Sequence, residues 1–184
     1  MNKLIAGLIL SGFSVSAQAA VVHMDPLSVQ PSYAIGEVVA MDLMIDFTGT
    51  PTIGGGVDVF FDPSGLEFKS WTAELLGDAT FKRNPDVLSG ELNGIAFGDF
   101  AGLPVTAKVG TVEFKVLQLG SWLVDLEAND APAGPFYSAT DFSLLSVQYA
   151  DTTVIVNAVP IPSAVWLFGS ALLAFVGFKR KKTA

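Results

Sequence analysis

The sequence contains no cysteine and a single histidine, His23. Without cysteine the chain can form no disulfide, and it offers neither a thiol nucleophile nor a cysteine-ligated metal site. The motifs GxSxG and HExxH and a phosphate-binding glycine loop are absent as well, so no serine hydrolase, zinc protease or nucleotide site is indicated. A glycosidase with paired carboxylates stays open because acidic residues abound. We predict that the protein is not an enzyme and requires no cofactor.

Basic residues are scarce over most of the chain. Residues 20–157 contain 18 acidic and 5 basic side chains, a net charge of −13, whereas the whole chain carries −8 because the other cations lie in the terminal segments. Such a surface repels nucleic acid, and no basic patch with interleaved aromatic residues is present. We therefore predict no nucleic-acid partner.

The first residues have the order typical of a secretory signal peptide. Lys3 is followed by an apolar run and then by the small residues Ala17 and Ala19. We predict a signal peptide over residues 1–19, cleaved at its end; the alternative is an uncleaved anchor, for which the apolar run is short. The mature chain then begins outside the cytoplasm, with His23 beside the new terminus, where chains are commonly disordered.

Residues 20–157 have the length of one domain, and their pattern is one strand after another. In EVVAMDLMIDF (37–47) every second residue is apolar, which is typical of a half-buried strand. Similar runs cover residues 55–61, 65–71, 92–97, 110–118, 121–128, 142–149 and 152–157, with turn residues between them. Only TAELLGDA (72–79) has a helical pattern. The fold class is therefore predicted to be all-β, an antiparallel β-sandwich of about eight or nine strands.

Two glycine-containing stretches predict local features of the backbone. In FFDPSGL, Asp62 can accept hydrogen bonds from nearby amides, Pro63 restricts φ and Gly65 permits positive φ, so a tight reversal is expected. The three glycines of TIGGGVDV favour a bulge or a close sheet contact rather than a phosphate site.

Two motifs resemble the cohesin-like family of bacterial extracellular domains, over about residues 28–128. The likeness is carried by Asp62, Pro63, Leu66 and Phe68 in one motif and by Gly110, Val112, Phe114, Lys115 and Val116 in the other. The resemblance implies a jelly-roll sandwich. In the cellulosome branch of the family the domain binds a calcium-loaded dockerin, but no dockerin-facing motif of that branch matches residues of this sequence.

A calcium site can be proposed from residue types near the end of one predicted strand. DLEAND offers oxygen ligands at Asp125, Glu127, Asn129 and Asp130, which suit calcium, although the loop lacks the glycine and the final glutamate of an EF-hand. The alternative is a solvated strand end.

Aromatic side chains in a β-sandwich can also stack on flat sugar rings. The candidates for such a carbohydrate site are Trp71, Phe136 and Tyr137, with Trp122 a further one that core packing explains better. The loop-like stretch GPFYS (134–138) contains two of them.

The last segment, residues 158–184, has a different composition from the domain. An apolar stretch follows Pro162 as far as residue 178, where the basic residues Lys179, Arg180, Lys181 and Lys182 begin. Proline suits the first turn of a helix, and the stretch would rise about 25 Å, close to the thickness of the hydrocarbon core of a bilayer. We predict one C-terminal transmembrane helix with a cytoplasmic basic tail.

The order of proline motif, short span and basic end resembles the PEP-CTERM sorting signal of Gram-negative bacteria. The residues that carry this likeness are Val159, Pro160, Ile161, Pro162, Trp166, Leu167, Phe168, Gly169 and Ser170. Ile161 stands where the glutamate of the family name would be, as it does in a variant of the signal. The resemblance implies processing by an exosortase, transient anchoring in the inner membrane and delivery to the cell surface or the exopolysaccharide matrix. A permanently tail-anchored envelope protein is the alternative.

Together these features predict a non-catalytic exported protein of the cell surface or extracellular matrix, adhesive or structural in a biofilm. Its partners would be an exosortase-type enzyme, the membrane in transit, and an exopolysaccharide or another surface protein. A carbohydrate-binding module on the cell surface is the alternative function.

Overall fold

The computed structural model describes residues 20–28, 32–74, 81–131 and 134–158. Within these ranges the chain forms twelve strands and no helix. The strands are β1 (Ala20–Pro26), β2 (Val38–Asp46), β3 (Thr52–Phe61), β4 (Leu66–Ala73), β5 (Phe81–Arg83), β6 (Asp86–Leu88), β7 (Glu91–Gly98), β8 (Thr106–Val116), β9 (Gly120–Ala128), β10 (Tyr137–Ser138), β11 (Val147–Ala150) and β12 (Thr152–Val156).

The predicted signal peptide, the sorting motif, the transmembrane helix and the basic tail lie outside the described residues. Among the residues that are described, no helix has the length and apolar character needed to cross a bilayer.

The strands form two sheets that pack face to face. One sheet has five strands in the order β11-β1-β2-β8-β4, and the other has seven, with the path β12-β9-β3-β7-β5 and with β10 beside β3 and β6 beside β7. The predicted all-β sandwich is confirmed, but the described residues form twelve strands rather than the expected eight or nine, because β1 and the short strands β5, β6 and β10 were not predicted. Among the pairings of these strands only β1 with β11 is parallel.

The core lies between the sheets and follows the alternation seen in the sequence. On β2, Met41 and Leu43 are fully buried, while the residues that alternate with them, Ala40, Asp42 and Met44, are only half-buried. Phe114 of β8 packs against Phe61 across the core, with ring centroids 4.9 Å apart, and against Phe68 at 6.5 Å. Each large apolar side chain so buried contributes about 1.5–3 kcal/mol of transfer free energy, which makes the alternating strands the main source of stability.

Two predicted elements are wrong in part. Thr72 and Ala73, expected in a helical turn, are the end of β4, because they pair with Thr111 and Gly110 of β8. Of the strand predicted over residues 142–149 only Val147–Ala150 forms one, preceded by an isolated bridge at Leu144.

The position of His23 also differs from expectation. It lies inside β1, paired with Met44 of β2 on one side and with Ala150 of β11 on the other. The strand is held on both edges, so the first described residues are part of the sheet rather than a loose terminus.

The reversal at DPSG is confirmed, but its glycine has another cause. The amide of Ser64 donates to Oδ1 of Asp62 at 2.8 Å, and the amide of Leu66 donates to the Asp62 carbonyl at 2.9 Å. Gly65 is not among the described residues with positive φ. A Cβ at this position would lie 2.0 Å from the ring of Trp122, so the glycine makes room for that ring.

Candidate functional site

The outer faces of the two sheets differ in chemistry. On the five-stranded sheet, polar side chains satisfy one another: Thr111 donates to Asp42 at 2.6 Å, and Nζ of Lys108 lies 3.1 Å from the same carboxylate. Ser70 donates to Glu113 at 2.7 Å. Polar side chains that are paired in this way are typical of a sheet face that contacts solvent.

The outer face of the seven-stranded sheet instead carries exposed aromatic residues at one end. The register there places Tyr137 of β10 opposite Gly54 of β3, Gly54 opposite Gly98 of β7, and Gly98 opposite Phe81 of β5. Two glycines therefore form the middle of a row whose ends are aromatic. We call the resulting depression the aromatic groove, and its lining includes Ile53, Gly54, Phe81, Phe100, Pro135 and Tyr137.

The glycines of this row are required by close packing. A Cβ on Gly54, whose φ is +119°, would lie 2.2 Å from the carbonyl oxygen of Phe97. A Cβ on Gly98 would lie 2.3 Å from a ring carbon of Phe81. The predicted close sheet contact is thus confirmed for Gly54, one of the three glycines, and the floor of the groove is bare backbone.

Three aromatic side chains at the groove have large solvent-exposed fractions. Phe100 is 85% exposed, Phe81 52% and Tyr137 41%. They surround a depression of about 130 Å³. Contiguous exposed apolar residues on a monomer mark a site of interaction more often than scattered ones do.

A second depression occupies the other end of the same face and is acidic. We call it the acidic cleft; it has a volume of about 550 Å³, and its lining includes Phe60, Asp62, Ser121, Trp122, Leu123 and Asp125.

The pKa values of the two carboxyl groups that line this cleft are shifted in opposite directions. Hydrogen bonds from Ser64 lower the pKa of Asp62. The pKa of Asp125 is raised, first by the hydrogen bond that it shares with Asp151, then by burial and by the negative charges of Asp151 and Glu127. Asp62 therefore keeps its negative charge to a lower pH than a free aspartate does, whereas Asp125 binds its proton more tightly than a free aspartate does.

The four residues proposed for calcium do not converge on one point. Asp125 and Glu127 lie on the outer face of β9, and Asp130 is exposed beyond the strand end. Asn129 is 1% exposed, and its Nδ2 donates to both carboxylate oxygens of Asp58, at 2.9 and 3.1 Å. Across the described ranges, no group of three or more His, Cys, Asp or Glu side chains is placed to hold a metal ion.

Asp58 is buried between the two depressions and has a structural role. It also accepts the amide of Gly94 at 2.7 Å, where β7 carries an extra residue opposite β3. Its negative charge adds to the burial that raises the pKa of Tyr149 to about 12.

Among the proposed sugar-binding aromatic residues, only Tyr137 is exposed. Phe136 is 1% exposed and packs between Phe47 and Phe97, with ring centroids at 5.1 and 5.6 Å, so it is removed as a candidate. Trp71 is partly buried and packs against the core.

Trp122 covers the edge of the core beside the turn glycine. It is likewise partly buried, and its Nε1 donates to the carbonyl of Gln118 at 3.0 Å.

Two aromatic residues of the groove were not predicted. Phe100 lies in the loop sequence GDFAGLP, whose small and polar neighbours are a signal for an exposed aromatic side chain. Phe81 has no comparable signal, because its exposure depends on pairing with Gly98 at the sheet edge.

Comparisons with known proteins concern the fold. No family model matches the sequence, and no curated protein is similar to it. Solved structures with 8–17% identity share the fold, and they include cohesin domains and cohesin–dockerin complexes. The chain is similar to the seventh ScaB type I cohesin of Pseudobacteroides cellulosolvens, with 16% identity, a TM-score of 0.58, and coverage of 78% of this chain and 96% of that one.

Two further solved structures have the same fold. A non-cellulosomal cohesin of the archaeon Archaeoglobus fulgidus has 14% identity and a TM-score of 0.57, covering 77% of this chain and 93% of that one. A chain from a type I cohesin–dockerin complex of Clostridium thermocellum has 8% identity and a TM-score of 0.58, covering 76% of this chain and all of that one. At these identities the likeness establishes a cohesin-like β-sandwich fold and no shared activity.

Proposed function

We propose that the domain is a non-catalytic protein-interaction module that binds a partner protein with the outer face of its seven-stranded sheet. The observation that carries this proposal is the aromatic groove, in which Phe81, Phe100 and Tyr137 stay exposed around a glycine floor. Exposed aromatic anchors beside a concave surface are the usual centre of a protein interface.

Two further observations support the choice of face. The outer face of the five-stranded sheet carries polar groups that are already paired with one another, as at Asp42 and Lys108. One structure of similar fold is by its own description a cohesin–dockerin complex, so a sandwich of this kind can present a surface to another protein. Dockerin itself is not carried over to this chain.

The proposal is tested by cross-linking in the cells that make the protein. A photoreactive amino acid replaces Phe100 in the groove or, as a matched control, Thr72 on the five-stranded sheet, where the side chain is also exposed. We expect adducts with a defined protein from position 100 and none from position 72, identified by mass spectrometry. The identified protein is then purified, and Phe81→Ala with Tyr137→Ala should weaken its binding at least ten-fold. Equal adducts from both positions, or none from position 100, would refute the proposal.

For the whole chain we propose export and sorting to the cell surface or extracellular matrix, where the module is adhesive or structural. The support is in the sequence: the signal-peptide pattern of residues 1–19 and the likeness of residues 159–182 to a PEP-CTERM signal. Proline disfavours helix at its own position and at the residue before it, so the two prolines of the motif suit a processing enzyme that reads an extended chain.

Mass spectrometry of the protein recovered from the surface or medium tests this part. We expect a product without Trp166 and the residues after it, and we expect release to fail in a Pro160→Ala, Pro162→Ala double variant. A recovered product that still ends at Ala184, or equal release of the variant, would show a permanent anchor instead.

Carbohydrate binding is the second candidate, and one observation favours it. Tyr137 combines an exposed ring with a hydroxyl group and lies across the glycine row from Phe81, so a sugar ring could stack in the groove. A glycan array of the purified protein separates the candidates, because specific glycan binding that Tyr137→Ala abolishes would favour this one.

A further inference from the structure

Phe60 of the acidic cleft has an acidic residue directly opposite it on each neighbouring strand: Asp125, which lines the cleft, and Glu91 beside it, whose Oε1 accepts a hydrogen bond from Asn93 at 2.9 Å. Phe60 of β3 is paired with Asp125 of β9 on one side and with Glu91 of β7 on the other. Directly paired residues on one face have Cβ atoms about 4.5–5.5 Å apart, so both carboxyl groups stand beside the ring. This row is the acidic counterpart of the glycine row at the other end of the face.

No cation of the described chain balances these charges. The residues that line the cleft include no Lys, Arg or His. On the five-stranded sheet, Lys108 is paired with Asp42 and Glu74, and Lys69 with Glu67. The remaining cations are Lys115 of β8 in the same sheet, and Lys82 and Arg83 of β5, the far edge strand of the seven-stranded sheet.

The surroundings add further negative charge and apolar surface. Asp62 carries a stabilised negative charge at the turn end of the cleft, and Asp151 and Glu127 lie close to Asp125. Leu123, 49% exposed, gives the cleft an apolar wall beside Phe60. A hydrated metal ion gains nothing from contact with these apolar surfaces. The aliphatic stem of a long basic side chain can pack on them while its charged group contacts the carboxylates.

We propose that the acidic cleft receives a basic side chain, arginine or lysine, of the partner protein. The cation lies over the ring of Phe60, between the carboxylates of Asp125 and Glu91, and the stem packs on Leu123. The inference rests on the proposed function, because it names the chemistry of the partner at a second point of the same face. Charge complementarity is the argument for this occupant, since the charged residues that line the cleft are all acidic.

A pair of small probes tests the cleft without the partner. N-acetyl-arginine methylamide carries the cation, and N-acetyl-citrulline methylamide is its neutral isostere. Each is titrated into the ¹⁵N-labelled full chain in neutral detergent, and amide shifts are followed by NMR. We expect saturable shifts at Phe60, Leu123 and Asp125 with the arginine probe and none with the citrulline probe.

Variants locate the binding. Asp125→Asn with Glu91→Gln should weaken the arginine probe at least ten-fold, and Phe60→Leu about three-fold, because the ring interaction is lost while the apolar volume is kept. The control Asp25→Asn with Glu67→Gln removes the same number of charges from the five-stranded sheet and should leave the affinity unchanged.

Several results would overturn the proposal, and they are separable from failure of the proposed function. These are equal shifts with citrulline, equal weakening by the control variant, and displacement of the probe by an equal concentration of calcium chloride. If the probe fails while cross-links at position 100 still identify a protein partner, only the cleft assignment is wrong. If the probe binds and no protein adduct forms, the interaction module itself is wrong.

Discussion

Asp58 and Asn129 are 71 positions apart in the sequence, and the Nδ2 group of Asn129 donates to both carboxylate oxygens of Asp58 in the structure. The same Nδ2 group donates to the carbonyl of Ala131 at 3.0 Å. The pair therefore connects the centre of the seven-stranded sheet to the loop that leaves β9. Because Asp58 is buried, its charge depends on these donors and on the amide of Gly94.

Replacing Asn129 by alanine should lower the free energy of unfolding by about 2 kcal/mol, since a buried carboxylate loses hydrogen bonds that water cannot replace. Urea denaturation measures the change. The neighbouring substitution Asp130→Ala removes an exposed side chain and should change the stability by less than about 0.5 kcal/mol. Equal effects of the two would contradict the structural role of the pair.

Gly54→Ala should be strongly destabilising, because the new Cβ would meet backbone atoms, 2.2 Å from the oxygen of Phe97 and 2.4 Å from Cα of Gly98. Gly49→Ala is the matched control: its φ is also positive, at +89°, but no atom lies within 4 Å of the added Cβ. Both variants bear the strain of the left-handed region, so the difference in unfolding free energy measures the clash, for which we expect roughly 2 kcal/mol or more. Equal stabilities would show that the strands separate there at little cost.

Adjacent substitutions at positions 136 and 137 should have opposite consequences. Phe136→Ala opens a cavity between Phe47 and Phe97 and should cost about 3–5 kcal/mol of stability. Tyr137→Ala removes a partly exposed ring, should cost under about 1.5 kcal/mol, and should weaken binding to the partner found by cross-linking. Thermal unfolding and a binding titration separate the two effects; a Tyr137 variant that binds normally would place the contact elsewhere.

The raised pKa of Asp125 should make stability depend on pH. The folded-state pKa of Asp125 is raised, so its contribution is complete below the pKa of aspartate in the unfolded chain and is lost as the pH rises through the folded value. Asp125→Asn keeps a hydrogen-bond donor for Asp151 without the charge. We expect this variant to gain stability relative to the wild type as the pH rises through that range.

Urea denaturation of both proteins between acid and neutral pH measures this difference. Asp130→Asn, made at an exposed position, is the control and should keep a constant offset from the wild type. A constant offset for Asp125→Asn as well would show that folding does not raise the pKa of Asp125.

Residues 20–158 should fold without the terminal segments and without metal, because every core residue of the part of the chain that the structure describes lies in this range. Circular dichroism of this fragment in the presence of a chelator should show β-structure with a cooperative thermal transition. Order that appears only after calcium is added would contradict the prediction.

The sequence was enough to predict a strand where one face of that strand is buried and the other is not. Val39, Met41 and Leu43 alternate with half-buried residues on β2, and the same period placed most of β8 and β9. The turn at Asp62 was predictable for a similar reason, because its hydrogen bonds are made within four residues. Local geometry and the side-chain period of 2 are contained in short stretches of sequence.

Sequence patterns were insufficient where a residue's environment is made by strands far away in the chain. The exposed pattern of GPFYS suggested two surface aromatic residues, yet Phe136 is enclosed by Phe47 and Phe97, which belong to other parts of the sandwich. The parallel pairing of β1 with β11 likewise joins the two ends of the domain.

The sequence by itself therefore determined the β-rich class of the domain, its acidic surface and its local turns, because each depends on composition or on near neighbours. Tertiary structure alone decided which aromatic residues are exposed and which carboxylates meet. Tyr137 and Phe81 face each other only through two paired glycines, and Asp125 meets Phe60 and Glu91 only through the register of three strands. Register is set by how the whole sandwich buries its core, and a shift of one residue would turn every one of these side chains to the opposite face.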